Sequence, residues 1–349
     1  MILKQIKFME KTKCLICGKD TELKTTEQVG YQEPDKFKIY HCTYCNTSFS
    51  IPRIKNTDKI YNLIYKNTGK NVSAYDRYFR YSNEILTKKN PLLWLTNQEP
   101  AYWGAHEAIS NILKDFPNAR LLEVGSGLGY FTYALYKSGY NITGLDISQE
   151  AVDKANKKYG NYYIYADATT YNQKVEKYDI IILTEVIEHL NEPIEFLQNL
   201  LSLLKDNGHI VLTTPNKSFF PKDSIWITDL PPIHSWWFSE ESFIEIANQL
   251  KCNISFIDYS PYYKTHMKEI FDTKFSQVLA SKAVFDANGN LLEQDTSDKR
   301  YYGILPLWIK KNKLYRYISR EFYPIMFRKR FIVSNKERTS CLCTILNKK

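Results

Sequence analysis

Residues 119–139 read "ARLLEVGSGLGYFTYALYKSG". The apolar run at 121–124 predicts a buried strand, the glycines a tight turn, and the stretch from Tyr130 a helix that Gly139 ends. Gly125, Gly127 and Gly129 stand at alternate positions, where glycine lets the backbone turn sharply and approach a ligand closely.

Working outward, the same alternation repeats. "YNITGLDIS" (140–148) predicts a second strand and "QEAVDKANKKYG" (149–160) a helix closed by Gly160. "NYYIYADA" (161–168) is a third strand and "YDIIILTEV" (178–186) a fourth. "EPIEFLQNLLSLLKDNG" (192–208) is a helix with Asn191 as N-cap and Pro193 in its first turn, and "HIVLTTPN" (209–216) a fifth strand. Beyond it, "NISFIDYS" (253–260) and "TSCLCTIL" (339–346) supply a sixth and a seventh, the last placing Cys341, Cys343 and Ile345 on one face as small core residues. Apolar strands alternating with amphipathic helices predict an α/β domain whose largely parallel sheet is covered on both faces, doubly wound and seven-stranded.

The cysteines predict a separate module. "CLIC" holds Cys14 and Cys17, and "CTYC" holds Cys42 and Cys45, with 24 residues between the pairs. Two such knuckles present four thiolates and predict a zinc ribbon, structural because no coordination position stays open. The expected organisation is a ribbon-like module at 10–52, a linker or helical substrate-side segment at 53–104, the core at 105–262, a basic aromatic insertion at 263–335 and the last strand at 336–349. "AYWGAHEAISNILKDF" (101–116) predicts a helix with His106 on its face.

Charge is unevenly spread. The net charge is +9; from Lys299 onward 14 Lys and Arg face two Glu, a net of 14 − 2 = +12, which leaves 9 − 12 = −3 for the rest. With no signal-peptide pattern at 1–13 and no apolar run of membrane-spanning length, the expected location is the cytoplasm.

The glycine turn carries a ligand argument. A dinucleotide fingerprint runs G-x-G-x-x-G, with a helix N-terminus facing pyrophosphate, whereas this one runs G-x-G-x-G behind Glu123. A carboxylate there suits an ammonium group better than a phosphate. Asp146 ends the second strand, where a carboxylate accepts from both ribose hydroxyls. Asp167 ends the third, in reach of an adenine amino group. A ligand with an amine, a ribose and an adenine but no phosphate is S-adenosylmethionine.

"LLEVGSGLGYF", "GLDIS", "ADA", "YDIIILTEVIEHL" and "GHIVLTTPN", in that order, resemble the class I S-adenosylmethionine-dependent methyltransferases over about residues 105–260. The resemblance implies a Rossmann-like sheet and a methyltransferase activity. It further implies that Gly125, Gly127 and Gly129 wrap the methionine part, that Asp146 with Ile147 beside it holds the ribose, that Asp167 and Ala168 border the adenine, and that Thr184 lines the pocket.

Within "YDIIILTEVIEHL" a helix starting at Thr184 or Glu185 would put Glu185, Glu188 and His189 on one face. "EVIEHL" followed by a T-P-N strand resembles both the ubiquinone-pathway O-methyltransferases and the small-RNA 3′-terminal 2′-O-methyltransferases. In the latter, the E-x-x-E-H group and a later histidine bind a divalent cation that grips two ribose hydroxyls. His234 is the candidate for that histidine, and the mixed oxygen and nitrogen set suits Mg, Mn or Zn. The alternatives are His189 or His234 as a metal-free general base, assisted by Glu188, and a cluster that only caps a helix and shapes the pocket.

The acceptor expected is a hydroxyl of a sugar, a glycan or a related small molecule, because a ribbon before such a domain resembles enzymes of bacterial sugar and surface-polysaccharide pathways. "SWWFSEESF" (235–243) offers Trp236 and Trp237 either to a sugar face or to the core. Nucleic acid stands as the alternative acceptor, on the basic aromatic insertion. That insertion equally suits a peripheral contact with an anionic membrane. A cofactor-binding scaffold without turnover is the reading from a different class.

Overall fold

The computed structural model describes residues 12–67, 69, 70, 72, 75–171, 177–219, 230–266, 282–293 and 340–348. Most of the 263–335 insertion, and with it most of the basic segment, lies outside the described residues. Strands β1 (Glu22–Val29), β2 (Lys36–His41) and β3 (Ser48–Ile51) form an antiparallel meander around the two cysteine knuckles. Helices α1 (Asp58–Lys66), α2 (Asp76–Glu84), α3 (Pro91–Thr96) and α4 (Pro100–Ile112) follow. The predicted helix at 101–116 is α4, and Pro100, in its first turn where no amide donor is needed, explains the start.

The alternating region then unfolds as β4 (Arg120–Val124), α5 (Tyr130–Lys137), β5 (Asn141–Asp146), α6 (Gln149–Tyr159), β6 (Tyr163–Tyr165), β7 (Tyr178–Thr184), α7 (Pro193–Leu203) and β8 (Leu204–Pro215). The short strand β9 (Trp236–Trp237) joins the N-terminal meander, and α8 (Glu240–Leu250), β10 (Cys252–Phe256), α9 (Ser260–Thr265) and β11 (Cys341–Lys348) complete the fold.

All seven predicted strands enter one sheet, in the order β10-β11-β8-β7-β4-β5-β6. Six point the same way, and β11 runs antiparallel between β10 and β8. Both faces are apolar, as alternate residues show. Leu121, Ile180, Ile182, Val211, Cys341 and Cys343 pack with α4 and α5, whereas Leu122, Ile181, Leu183, Leu212, Leu342 and Leu346 pack with α7 and α8. Cys341 and Cys343 are therefore core residues of β11, as their spacing predicts.

Two local expectations change. No α-helix starts at Thr184 or Glu185: Glu185 is left-handed, with φ at 55°, and only a single 3-10 turn, Ile187–His189, precedes α7. The N-cap of α7 is Glu192 rather than Asn191, with Pro193 as the first helical residue. Among the described residues no helix is long and apolar enough to cross a membrane.

Candidate functional site

From β4 the chain winds to β5 and β6 on one side, and from β7 to β8 on the other. The crevice at the carboxyl ends of β4 and β7 is thus the switch point of the sheet, where open α/β sheets take their ligands. The glycine turn after β4 and Thr184 at the end of β7 both line a cleft there.

Backbone geometry explains the glycines. Gly125, Gly127 and Gly129 have φ of 75°, 49° and 79°. A Cβ on Gly125 would lie 2.7 Å from Val186, and one on Gly129 would lie 2.8 Å from Ala155 and 2.9 Å from the Tyr163 ring. Around Gly127 there is nothing within 4 Å, so that face stays open as a cradle. The residues fit the methionine end of the expected cofactor.

Asp146, buried at the end of β5, accepts from the Gly127 amide at 2.7 Å and the Ser148 amide at 2.8 Å. Burial raises its pKa, and the backbone amides of Ser148, Gly127 and Ile147 oppose that rise. Glu123 is buried too and accepts from the Thr132 hydroxyl; burial lifts its carboxyl to about 8. Asp167 is fixed by the Thr169 amide at 2.8 Å and hydroxyl at 2.7 Å, and Ala168 beside it is buried. Ile147, by contrast, is 67% exposed. The Thr184 hydroxyl has no hydrogen-bond partner among the described residues.

Most of the opposite wall comes from the 53–104 segment, in which the sequence reading names no site residue. Tyr65, Tyr75, Tyr78 and Phe79, from α1 and from residues 75–79 at the start of α2, face the glycine turn together with Tyr102 and Tyr130. The available signal was the density of aromatic residues between 61 and 81, but no period in it points to a cleft. Of the two places the sequence leaves open for Trp236 and Trp237, a sugar face or the core, they take the core: they are 2% and 6% exposed, and Trp236 stacks on Phe238 at 5.5 Å.

Beyond Thr184 the chain builds a second feature. Glu188, His189 and His234 bring ligand atoms within 4.8 Å of one another. Thr214 donates to Glu188 Oε2 at 3.0 Å. The Ile233 carbonyl accepts from His189 Nδ1–H at 2.7 Å, which leaves Nε2 with its lone pair, 3.9 Å from Glu188 Oε1. Burial lowers the pKa of both histidines, and the neighbouring His189 lowers that of His234 further, which favours the neutral form of each ring. Glu185, expected in the same set, stands apart from these three, its Oε1 3.9 Å from Cys341 Sγ. Its left-handed backbone is what turns it away.

The four cysteines converge as well. Cys14 and Cys45 sulfurs are 3.6 Å apart, those of Cys17 and Cys42 3.4 Å, and all four lie within 4.8 Å of each other. Burial raises the Cys17 thiol to about 11. Four soft donors packed this closely fit a tetrahedral zinc ion.

Comparison with known proteins follows this geometry. Residues 98–254 match the family model described as a methyltransferase domain. The ubiquinone biosynthesis O-methyltransferase of Rickettsia felis is 31% identical over 116 residues, which is 32% of this chain and 48% of that protein. The protein of the same name from Actinobacillus pleuropneumoniae is 33% identical over 109 residues, 28% of this chain and 47% of its own. The chain spans about half the length of the curated relatives it matches. Among solved structures, the plantazolicin methyltransferase BpumL in complex with SAH aligns with 84% of this chain and 98% of its own, at 15% identity and a TM-score of 0.43.

Proposed function

With residues 98–254 forming a methyltransferase domain of the class I, S-adenosylmethionine-dependent type, we propose that the chain methylates a hydroxyl of a small molecule carrying adjacent oxygens, with a sugar or glycan unit first among the candidates. The observation that carries this reading is one stretch, residues 184–189, which gives Thr184 to the cofactor cleft and Glu188 and His189 to the cluster with His234.

S-adenosylmethionine supplies an electrophilic methyl group when bound. Gly127 would leave room for its methionine part, Asp146 would accept from its ribose, and Glu123 would lie on the side of its ammonium group. The neighbouring cluster supports attack by oxygen, because an alcohol must shed its proton as it attacks and a cation lowers that pKa. Glu188, His189 and His234 would hold such a cation, Mg or Mn, with His189 Nε2 aimed by the Ile233 carbonyl. Without a cation, the same neutral His189 is placed to take the proton. The cysteine module is read as a structural zinc site. Similarity to O-methyltransferases of ubiquinone biosynthesis favours oxygen as the atom methylated. The rings of Tyr65, Tyr78 and Phe79 line the cleft and would offer an acceptor aromatic contact, a role that the buried Trp236 and Trp237 do not fill.

The test is a product assay with labelled cofactor over nucleotide sugars, glycans, catechols and RNA ends, each with and without Mg or Mn. Transfer to a sugar or glycan hydroxyl supports the reading. Transfer only to RNA would move the acceptor class, and cofactor binding without turnover on any acceptor would favour a scaffold.

A further inference from the structure

The Glu188, His189 and His234 cluster stands on two supports of different kinds. Glu188 and His189 follow the end of β7 and are carried by the central sheet. His234 belongs to residues 230–237, and the cysteine module holds that segment near both ends. The Tyr31 amide donates to the Pro231 carbonyl at 2.7 Å, and the Ser50 amide to the Ser235 carbonyl at 3.1 Å. Next to it, β9 pairs with β3 as the fourth strand of the meander, with Phe49 opposite Trp236. Cys45, in the second knuckle just before β3, also accepts through its carbonyl from the hydroxyls of Ser239 at 3.3 Å and Ser242 at 3.1 Å.

The same segment is tied back to the other half of the cluster. The Ser235 amide donates to the Glu188 carbonyl at 3.0 Å, and Trp236 Nε1–H to the Leu190 carbonyl at 2.7 Å. Arg53, just past β3, donates to the carbonyls of Leu190 and Asn191 while its guanidinium lies 4.2 Å above the Trp236 ring. One side chain from the edge of the cysteine module therefore clamps both segments that bear the cluster.

We propose that the cysteine module is a positioning element for the cluster: metal held by Cys14, Cys17, Cys42 and Cys45 fixes β3, β3 fixes residues 230–237 and with them His234, and Arg53 locks that segment to residues 188–191. A module this small has little core of its own and depends on its metal for order. Loss of that metal frees His234 while the sheet keeps Glu188 and His189 in place. The two sites are then linked, and linkage is reciprocal. This rests on the cation reading above only where cation affinity is the quantity measured.

The experiment compares full-length protein as prepared with protein stripped of zinc. Hydrogen exchange is followed in peptides covering 187–191 and 230–238, with 119–130 as the internal reference. Faster exchange at 230–238, by about tenfold, with 187–191, the reference and the affinity for S-adenosylhomocysteine unchanged, is the expected result. Unaltered exchange at 230–238 in protein shown to be free of zinc overturns the proposal. A second arm keeps zinc bound and measures Mn2+ affinity by electron paramagnetic resonance in Arg53→Ala and Arg53→Lys. An affinity loss of about tenfold in Arg53→Ala, partly recovered in Arg53→Lys at unchanged zinc content and melting temperature, is expected. Equal affinity in parent and Arg53→Ala overturns the role of Arg53. If Mn2+ binds neither protein, the cation reading fails, and the exchange arm alone decides the coupling.

Discussion

The rings of His189 and His234 meet edge to face, with centroids 4.6 Å apart and planes at 85°. With the Glu188 carboxylate beside them, the two imidazoles bring one ligand atom each to within 4.8 Å of one another and of a Glu188 oxygen, close enough for a single point to be reached by all three.

If that point holds a cation, Glu188→Gln should weaken its binding. Activity should then return in part at raised Mg or Mn, because mass action offsets a lost ligand. The measurement is rate against metal concentration, using a chelator too weak to strip the cysteine site. Full activity of the Glu188→Gln, His234→Ala double variant would reduce the cluster to a wall of the pocket.

Asp146→Ala removes an acceptor for the ribose and at the same time the tether on the Gly127 amide. Charge-assisted hydrogen bonds of this kind contribute about 1.5–3 kcal/mol each. Calorimetry should therefore show at least about a tenfold loss of affinity for S-adenosylmethionine, with the fold retained by circular dichroism. Unchanged affinity would refute the assignment of the end of β5.

Glu123 makes cofactor affinity depend on pH. With its carboxyl raised to about 8, the free protein binds a proton at neutral pH that an ammonium partner would expel. Affinity should rise from pH 6 to pH 8 and then level, and Glu123→Gln should flatten that profile at a lower affinity. The sign for stability is opposite. Because the folded pKa lies above the ordinary carboxyl value, this group's favourable contribution to the free protein is complete below about pH 4 and is lost as pH climbs through 8. Glu123→Gln should therefore melt higher than the parent at pH 8.5. An equal melting temperature there would show that burial does not perturb the group.

Gly129 and Gly127 should respond differently to alanine. At Gly129 both the left-handed backbone and a Cβ 2.8 Å from Ala155 oppose the change, at a cost of about 2–4 kcal/mol in denaturant unfolding. Gly127→Ala meets no neighbour, so only its left-handed backbone opposes the change, at about 1–2 kcal/mol, and it should lose mainly cofactor affinity. Equal destabilisation by the two substitutions would contradict this division of roles.

Cys42→Ser should release zinc measured by elemental analysis, and the parent should release it as pH falls, because thiols must be deprotonated to bind and burial favours the protonated form of Cys17. Freshly reduced protein without zinc would defeat the assignment.

What the sequence determined by itself was the periodic part. Seven strands, the glycine turn, and the acidic residues Asp146 and Asp167 at strand ends follow from local rules, because an apolar run between turn residues has few ways to bury itself and the end of a strand is a fixed place in a parallel sheet. The paired cysteines were legible for a similar reason: knuckle spacing is local geometry. The tertiary structure alone decided three things. It turned Glu185 away from Glu188 through a left-handed residue that helical spacing cannot foresee. It drew Tyr65, Tyr75 and Tyr78 from an irregular segment over the cleft. And it placed Trp236 in the core as a strand of the cysteine module, because β3 had an open edge and the unpaired amides and carbonyls of such an edge require a partner, whichever distant segment supplies it.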